Sequence, residues 1–259
     1  MMFGVSEKDK FKIEYAERIK ETSARYGISY CTIKDDVYPV GLRELSNCPA
    51  VLYYKGNIEI VNRYKNMAVI GSRSASQTGL ELAYSAGRSA GEIGLNLVNG
   101  LALGCDTWAL KGALETGGRC IAILPCGLEQ IQPKSNLKLA QEILEKGGCL
   151  LSEYPIGTEA QKYQYVERDR LQSGLSQGVL VVEAEEKSGT MHTADFALRQ
   201  FKRLACYYYK IMGSPSGNRY LEESGKAKII KTNQDLGQFM SDIIEEDVFR
   251  QVAFDDMII

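Results

Sequence analysis

Histidine, tryptophan, long apolar runs and net charge are all scarce in this chain. His192 is the only histidine in 259 residues. That excludes every mechanism needing two, including paired-histidine zinc sites. Standing among Thr190, Met191 and Thr193, it reads as structural rather than as a ligand. The seven cysteines are odd in number and contain no C-x-x-C pair. A disulfide framework is therefore not expected, and the cysteines read as small buried hydrophobes in a reducing compartment. No apolar run approaches the roughly 20 residues of a membrane span. The N-terminal MMFGVSEKDK lacks the apolar stretch of a signal peptide, so a cytoplasmic location is expected. The net charge is −2. Residues 235–259 carry seven acids against Arg250 alone, a local balance of −6 that leaves +4 on the other 234 residues. Any nucleic-acid site must then be a local patch.

What is present is ordinary globular composition, 44% hydrophobic and 25% charged, in a chain long enough to bury a sizeable core. Residues 8–30 show helical spacing through Phe11, Tyr15 and Ile19, with a short strand expected at 28–33 and another at 51–54. From residue 66 a rhythm sets in. Apolar runs at 67–70, 95–98, 120–124, 149–151, 178–182 and 204–209 read as strands. Helical patterns at 77–93, 106–115, 136–146 and 190–200 fall between them. Strands apolar throughout and alternating with helices indicate a parallel sheet covered on both faces. The expected fold is α/β: an extended Rossmann-like, doubly wound, mostly parallel sheet. The expected organisation is a small N-terminal subdomain (1–64), the Rossmann-like core (65–212) and a C-terminal segment with an acidic tail (213–259).

In such sheets ligands bind beyond the C-terminal ends of the strands. After the first core strand comes Gly71-Ser72-Arg73-Ser74-Ala75-Ser76. Here a glycine turn, free N–H groups and the planar guanidinium of Arg73 suit a phosphate. After the fifth comes Glu183-Ala184, then Ser188-Gly189-Thr190 opening a helix, a second cradle of the same kind. Neither G-x-G-x-x-G nor a Walker A sequence is present. Two cradles at one sheet edge suggest a ligand with several phosphates, either a nucleotide or a nucleic-acid backbone. Tyr163-Gln164-Tyr165-Val166-Glu167-Arg168-Asp169-Arg170 has two readings: a stacking surface for single-stranded nucleic acid, or a buried connector with internal ion pairs. Glu153 reads either as a general base or as an ion-pair partner of Arg73 or Arg168. No catalytic constellation stands out.

An ordered series of short motifs resembles the DNA-processing protein A (DprA/Smf) family. It runs from Tyr38-Pro39 through Pro49–Gly56, Ala68–Arg73, Gly100-Leu101-Ala102 with Gly104 and Asp106, and Gly117-Gly118. It continues with Cys126-Gly127-Leu128, Pro133-Lys134-Ser135-Asn136, Leu151–Pro155, Arg168-x-Arg170, Gly174-Leu175-Ser176, Val181–Ala184 and Ser188–Thr190. The resemblance implies a cytoplasmic, homodimeric protein without cofactor that binds single-stranded DNA without chemistry. It implies the loading of a RecA-type recombinase on incoming DNA during natural transformation. It also implies DNA contacts from Arg73 and Lys134; together with the strand-end loops and the Tyr163–Arg170 stretch, the expected contacts are Gly71, Ser72, Arg73, Gly100, Lys134, Arg168, Arg170, Ser188, Gly189 and Thr190. Three positions depart from the family pattern: Leu103 replaces an arginine, Leu110 a histidine and Asp169 a neutral asparagine. The alternative is a nucleotide-binding sensor or enzyme related to the LOG-type phosphoribohydrolases. In that family a catalytic glutamate stands where this chain has Thr193, which argues against hydrolysis.

Overall fold

Each core strand is too short and too apolar to face water on either side. Every residue of β3 (Asn66–Ile70), β4 (Asn96–Asn99), β5 (Cys120–Ile123), β6 (Cys149–Ser152) and β7 (Gly178–Val181) is buried. The computed structural model describes residues 7–210 and 213–255. Ahead of the core come helix α1 (Glu7–Arg25), β1 (Ser29–Thr32), the single turns α2 (Val40–Arg43) and α3 (Ile60–Arg63), and β2 (Val51–Gly56) between them. The crossovers are α4 (Gln77–Glu92), α5 (Cys105–Glu115), α6 (Leu137–Glu145), α7 (Lys162–Leu175) and α8 (Gly189–Arg199). The chain closes with β8 (Arg203–Tyr207), α9 (Ser216–Glu223), β9 (Lys228–Ile230) and α10 (Asn233–Asp255).

The strands form one nine-stranded sheet in the order β1-β2-β6-β5-β4-β3-β7-β8-β9. All pairings from β6 to β9 are parallel, and β1 and β2 add an antiparallel edge. The first 64 residues thus lend two strands to the same sheet as the core. Alternation along each strand divides the interior into two layers. Met67, Val69, Leu97 and Leu180 pack under α4, α5, α6 and α10, whereas Ala68, Ile70, Val98 and Val181 pack under α7 and α8. The sheet is doubly wound, as its strand pattern indicates. The connections diverge between β3 and β7, which makes that gap the topological switch point.

Three stretches differ from the sequence expectation. The first helix stops at Arg25 rather than residue 30, because Gly27 takes φ +65° and releases the chain into β1. The 162–175 segment is a full helix. The C-terminal segment is ordered into α9, β9 and α10. On α10, Leu236, Phe239, Met240 and Ile243 are buried against the sheet at i, i+3, i+4, i+7 spacing. Six of the seven cysteines are buried, Cys48 is half-buried, and all are free thiols. Burial pushes the Cys31 thiol up to about 11 and that of Cys105 up to about 12, which leaves both inert at neutral pH. Among the described residues, no helix is long and apolar enough to cross a membrane.

Candidate nucleic-acid interface

A cleft of about 360 Å³ opens at the switch point, lined by Gly71–Ser74, Ala102, Asp106, Tyr165, Arg168, Asp169, Gln172, Ser188–Thr190 and Thr193. The Arg73 loop forms one wall and is held by backbone bonds on both sides. Ser72 N–H donates to Glu183 O at 2.7 Å, and Cys105 N–H donates to Ser72 O at 3.1 Å. Gly104, at φ +72°, lets the loop approach, since a Cβ there would stand 2.2 Å from Ser72 O. Arg73 itself is exposed, with its guanidinium 5.0 Å from the centre of the Tyr165 ring. That stacking holds the cation over the mouth while its N–H fork remains open to an anion.

The two sequence cradles are not equivalent. At α4 the helix start is already capped from within. Ser76 Oγ accepts from Gly79 N–H at 3.0 Å. The Glu183 carboxylate accepts from Ser76 N–H at 2.9 Å and from Ser76 Oγ at 2.5 Å. A carboxylate in that place repels a phosphate, so the expected anion site at the α4 N-terminus is corrected to an internal cap. At α8 the opposite holds. The Ser188 side chain makes no capping bond, and among the described residues its buried Oγ has no partner. Met191 N–H donates to Ser188 O at 3.1 Å, and among the described residues the N–H groups of Gly189 and Thr190 at the start of α8 have no partner. A Cβ on Gly189 would meet nothing within 4 Å, so the approach to this helix end is open.

The Lys134 loop lies beside the Arg73 loop, with Arg73 and Pro133 lining one recess. Asn136 Nδ2 donates to Leu101 O at 2.8 Å and to Thr107 Oγ1 at 2.8 Å. Asp106 accepts from Gly100 N–H at 2.9 Å and Ala102 N–H at 3.2 Å. Burial raises the Asp106 carboxyl above its ordinary range, against the pull of Arg168 and these two N–H donors. The pinned loops border a smaller recess of about 110 Å³ lined by Arg73, Gly100, Leu103, Gln132, Pro133 and Tyr165 among others. Lys134, next to Pro133, is exposed beside it.

The Tyr163–Arg170 segment follows the buried-connector reading for its arginines. Arg168 is 4% exposed; its Nη1 donates to Ile123 O at 2.6 Å and its Nε to Asp169 Oδ1 at 3.1 Å. It threads past Gly100, where a Cβ would lie 1.8 Å from Nη1. Arg168 therefore forms part of the cleft floor with its charge engaged. Arg170 does not reach the cleft. It forms a two-pronged pair with Glu153 at 2.8 and 2.7 Å and donates to Asn47 O at 3.1 Å. Glu153 is thus the partner of Arg170, and not of Arg73 or Arg168. Asp169 is 7% exposed, and burial lifts its carboxyl to about 6 despite Arg168 beside it. Of the departing residues, Leu103 is exposed at the recess and Leu110 is fully buried in the core.

The structure brings Gly71, Ser72, Arg73, Arg168, Ser188, Gly189 and Thr190 to one opening, places Gly100 in the adjoining recess with Lys134 exposed beside it, and leaves Arg170 outside. Sequence reasoning missed Gln172, a floor residue inside no motif. It also passed over the G-x-S-x-G spacing of Gly174–Gly178. There Ser176 sits on a helix-to-strand turn with its buried Oγ donating to Gln172 O at 2.8 Å, the reverse of a nucleophile elbow. His192 is exposed on α8. Among the described residues, no group of three His, Cys, Asp or Glu could hold a metal.

Fold and cleft together define a doubly wound α/β protein with its ligand opening at the switch point, beyond the carboxyl ends of β3 and β7. The family follows from comparison. Residues 29–241 match the model of DNA recombination-mediator protein A, and the chain belongs to that family. It is 34% identical over 227 residues to the DNA processing protein DprA of Streptococcus pneumoniae, covering 87% of this chain and 78% of that one. With DprA of Bacillus subtilis it shares 30% over 237 residues, 92% of this chain and 77% of the relative. Among solved structures, DprA from S. pneumoniae superposes with a TM-score of 0.76 at 31% identity, over 86% of this chain and 79% of that chain. DprA from Helicobacter pylori, described for its single-stranded DNA binding mode, gives 0.75 at 28%, over 84% and 97%. A molybdenum cofactor binding protein from Rippkaea orientalis, at 0.51 and 19% identity, shares the fold alone.

Proposed function

We propose that this chain binds the backbone of single-stranded DNA across the switch-point cleft and acts there as a recombination mediator, without turnover. The observation that carries the reading is the pairing of exposed Arg73, poised over Tyr165, with the uncapped N-terminus of α8 on the facing wall. Phosphate is the group both features suit: one offers a guanidinium fork, the other aligned N–H donors. Lys134 extends the positive rim as a point charge, and Tyr165 offers a ring for an unstacked base. The likeness to a DprA described for its single-stranded DNA binding supports the polymer over a free nucleotide. A RecA-type recombinase as the protein that receives the DNA, and a homodimer as the working unit, complete the proposal. Hydrolysis of a nucleotide is disfavoured because Thr193, at the start of α8, supplies no general acid.

The test is a titration of fluorescent single-stranded DNA with the intact protein and with Arg73→Ala and Lys134→Ala, singly and together. Loss of affinity in both, largest in the double variant, is expected. Unchanged binding in the double variant would refute the site.

A further inference from the structure

The floor of the cleft is built differently from its mouth. Gln172 is 2% exposed and lines the cavity, yet among the described residues its Oε1 has no hydrogen-bond partner. Its Nε2 donates to Asp169 Oδ1 at 2.8 Å, which fixes the amide so that the oxygen is the free end. Asp169 Oδ1 also accepts from Arg168 Nε at 3.1 Å, and among the described residues Oδ2 accepts nothing. Two acceptors, one helical turn apart on α7, therefore lack a donor: the amide oxygen of Gln172 and the second carboxylate oxygen of Asp169. A buried acceptor without a donor is costly, and a ligand that brings the donor recovers that cost. Phosphate cannot be that ligand, because it carries only acceptors and negative charge. The floor also sets two carboxylates, Asp106 and Asp169, against the single guanidinium of Arg168.

We infer that the cleft floor is a nucleobase subsite selective for guanine, with Gln172 Oε1 and Asp169 Oδ2 accepting from its N1–H and 2-amino group. This rests on the reading of the mouth as a phosphate site. Guanine is the only DNA base with two adjacent donors on its Watson–Crick edge; adenine and cytosine offer one beside an acceptor, and thymine one between two acceptors. A backbone phosphate at Arg73 and α8 with a base turned inward is the usual way in which proteins read unstacked single strands. The cavity of about 360 Å³ is of the size that small-molecule and nucleotide sites occupy. The selectivity depends on a carboxylate at Asp169.

The experiment compares a short oligothymidylate with the same oligonucleotide carrying one dG, or one deoxyinosine, by competition anisotropy with the full chain. A bidentate contact predicts roughly tenfold tighter binding with dG and the loss of most of that gain with inosine, which lacks the 2-amino group. Asp169→Asn places an N–H where an acceptor stood and is expected to abolish the dG preference. Equal affinity for dG and dT oligonucleotides overturns the subsite, as does an undiminished preference in Asp169→Asn. The inosine arm uses the unaltered protein and holds even if the variant folds poorly. Guanosine monophosphate serves as the second probe. If it binds while no oligonucleotide does, the base subsite stands and the DNA reading falls. If all oligonucleotides bind alike, the DNA reading stands and the subsite falls. If nothing binds, both fall.

Discussion

Replacing Asp169 by asparagine tests the electrostatics of the cleft without changing its shape. Asparagine keeps an Oδ1 that can accept from Arg168 and Gln172, so the 3.1 and 2.8 Å bonds of the carboxylate survive in outline. What disappears is a negative charge that burial disfavours, and Arg168 keeps a second buried carboxylate, Asp106, as its electrostatic partner. The carboxyl titrates near 6 in the folded protein, about two pKa units above an exposed aspartate. Because the folded value is raised, the fold prefers the protonated acid. Stability is undiminished below the unfolded-state value and is lost as pH rises from about 4 through 6. At about 1.4 kcal/mol per unit, the ionised group costs up to about 3 kcal/mol above pH 7 and roughly half of that at pH 5. Asp169→Asn is accordingly expected to be more stable than the parent by up to that amount at pH 7.5. The gain should shrink steadily toward pH 4. Urea unfolding followed by circular dichroism at three pH values measures this directly. A variant that is less stable at pH 7.5, or whose difference from the parent does not vary with pH, would refute the reasoning.

Three further outcomes follow from the same geometry. Gly100→Ala sets a Cβ against Arg168 Nη1, so loss of stability by more than about 2 kcal/mol is expected from overpacking at a site with no room to relax; a melting temperature equal to the parent's would contradict it. Glu153→Gln leaves the buried Arg170 without its charge partner and is expected to cost about 3 kcal/mol, read by chemical unfolding. Because Arg170 lies outside the cleft, Arg170→Lys is expected to lower stability while leaving the salt dependence of DNA binding unaltered; a reduced salt slope would show that Arg170 contacts phosphate.

The parallel core was legible because its strands are apolar on both faces and its helices keep a clean period. Met67–Ile70 and Gln77–Glu92 fall where the pattern puts them. Arg73 and Ser188–Thr190 were legible for a related reason, since residues directly after parallel strands are confined to one edge of the sheet. The fates of Arg168 and Arg170 were not legible. They are two residues apart on a helix and so point in different directions, one toward Ile123 O and the other toward Glu153. Nor could spacing show that Glu183, distant in sequence, caps α4 and fills one of the two cradles. Gln172 carries no motif, and its role depends on the amide locked against Asp169. On α10, by contrast, Leu236, Phe239, Met240 and Ile243 showed a helical stripe that the acidic charge of the segment obscured.

The central claim is that phosphate is held between Arg73, Lys134 and the start of α8. Its most direct test is the affinity for a fluorescent single strand measured over a series of salt concentrations. For single strands, log K falls with log salt by roughly 0.7 per phosphate neutralised. The parent protein is expected to show a steep slope, and the Arg73→Ala, Lys134→Ala double variant a slope shallower by roughly 1.4. Equal slopes in the two proteins would place the DNA elsewhere on the surface.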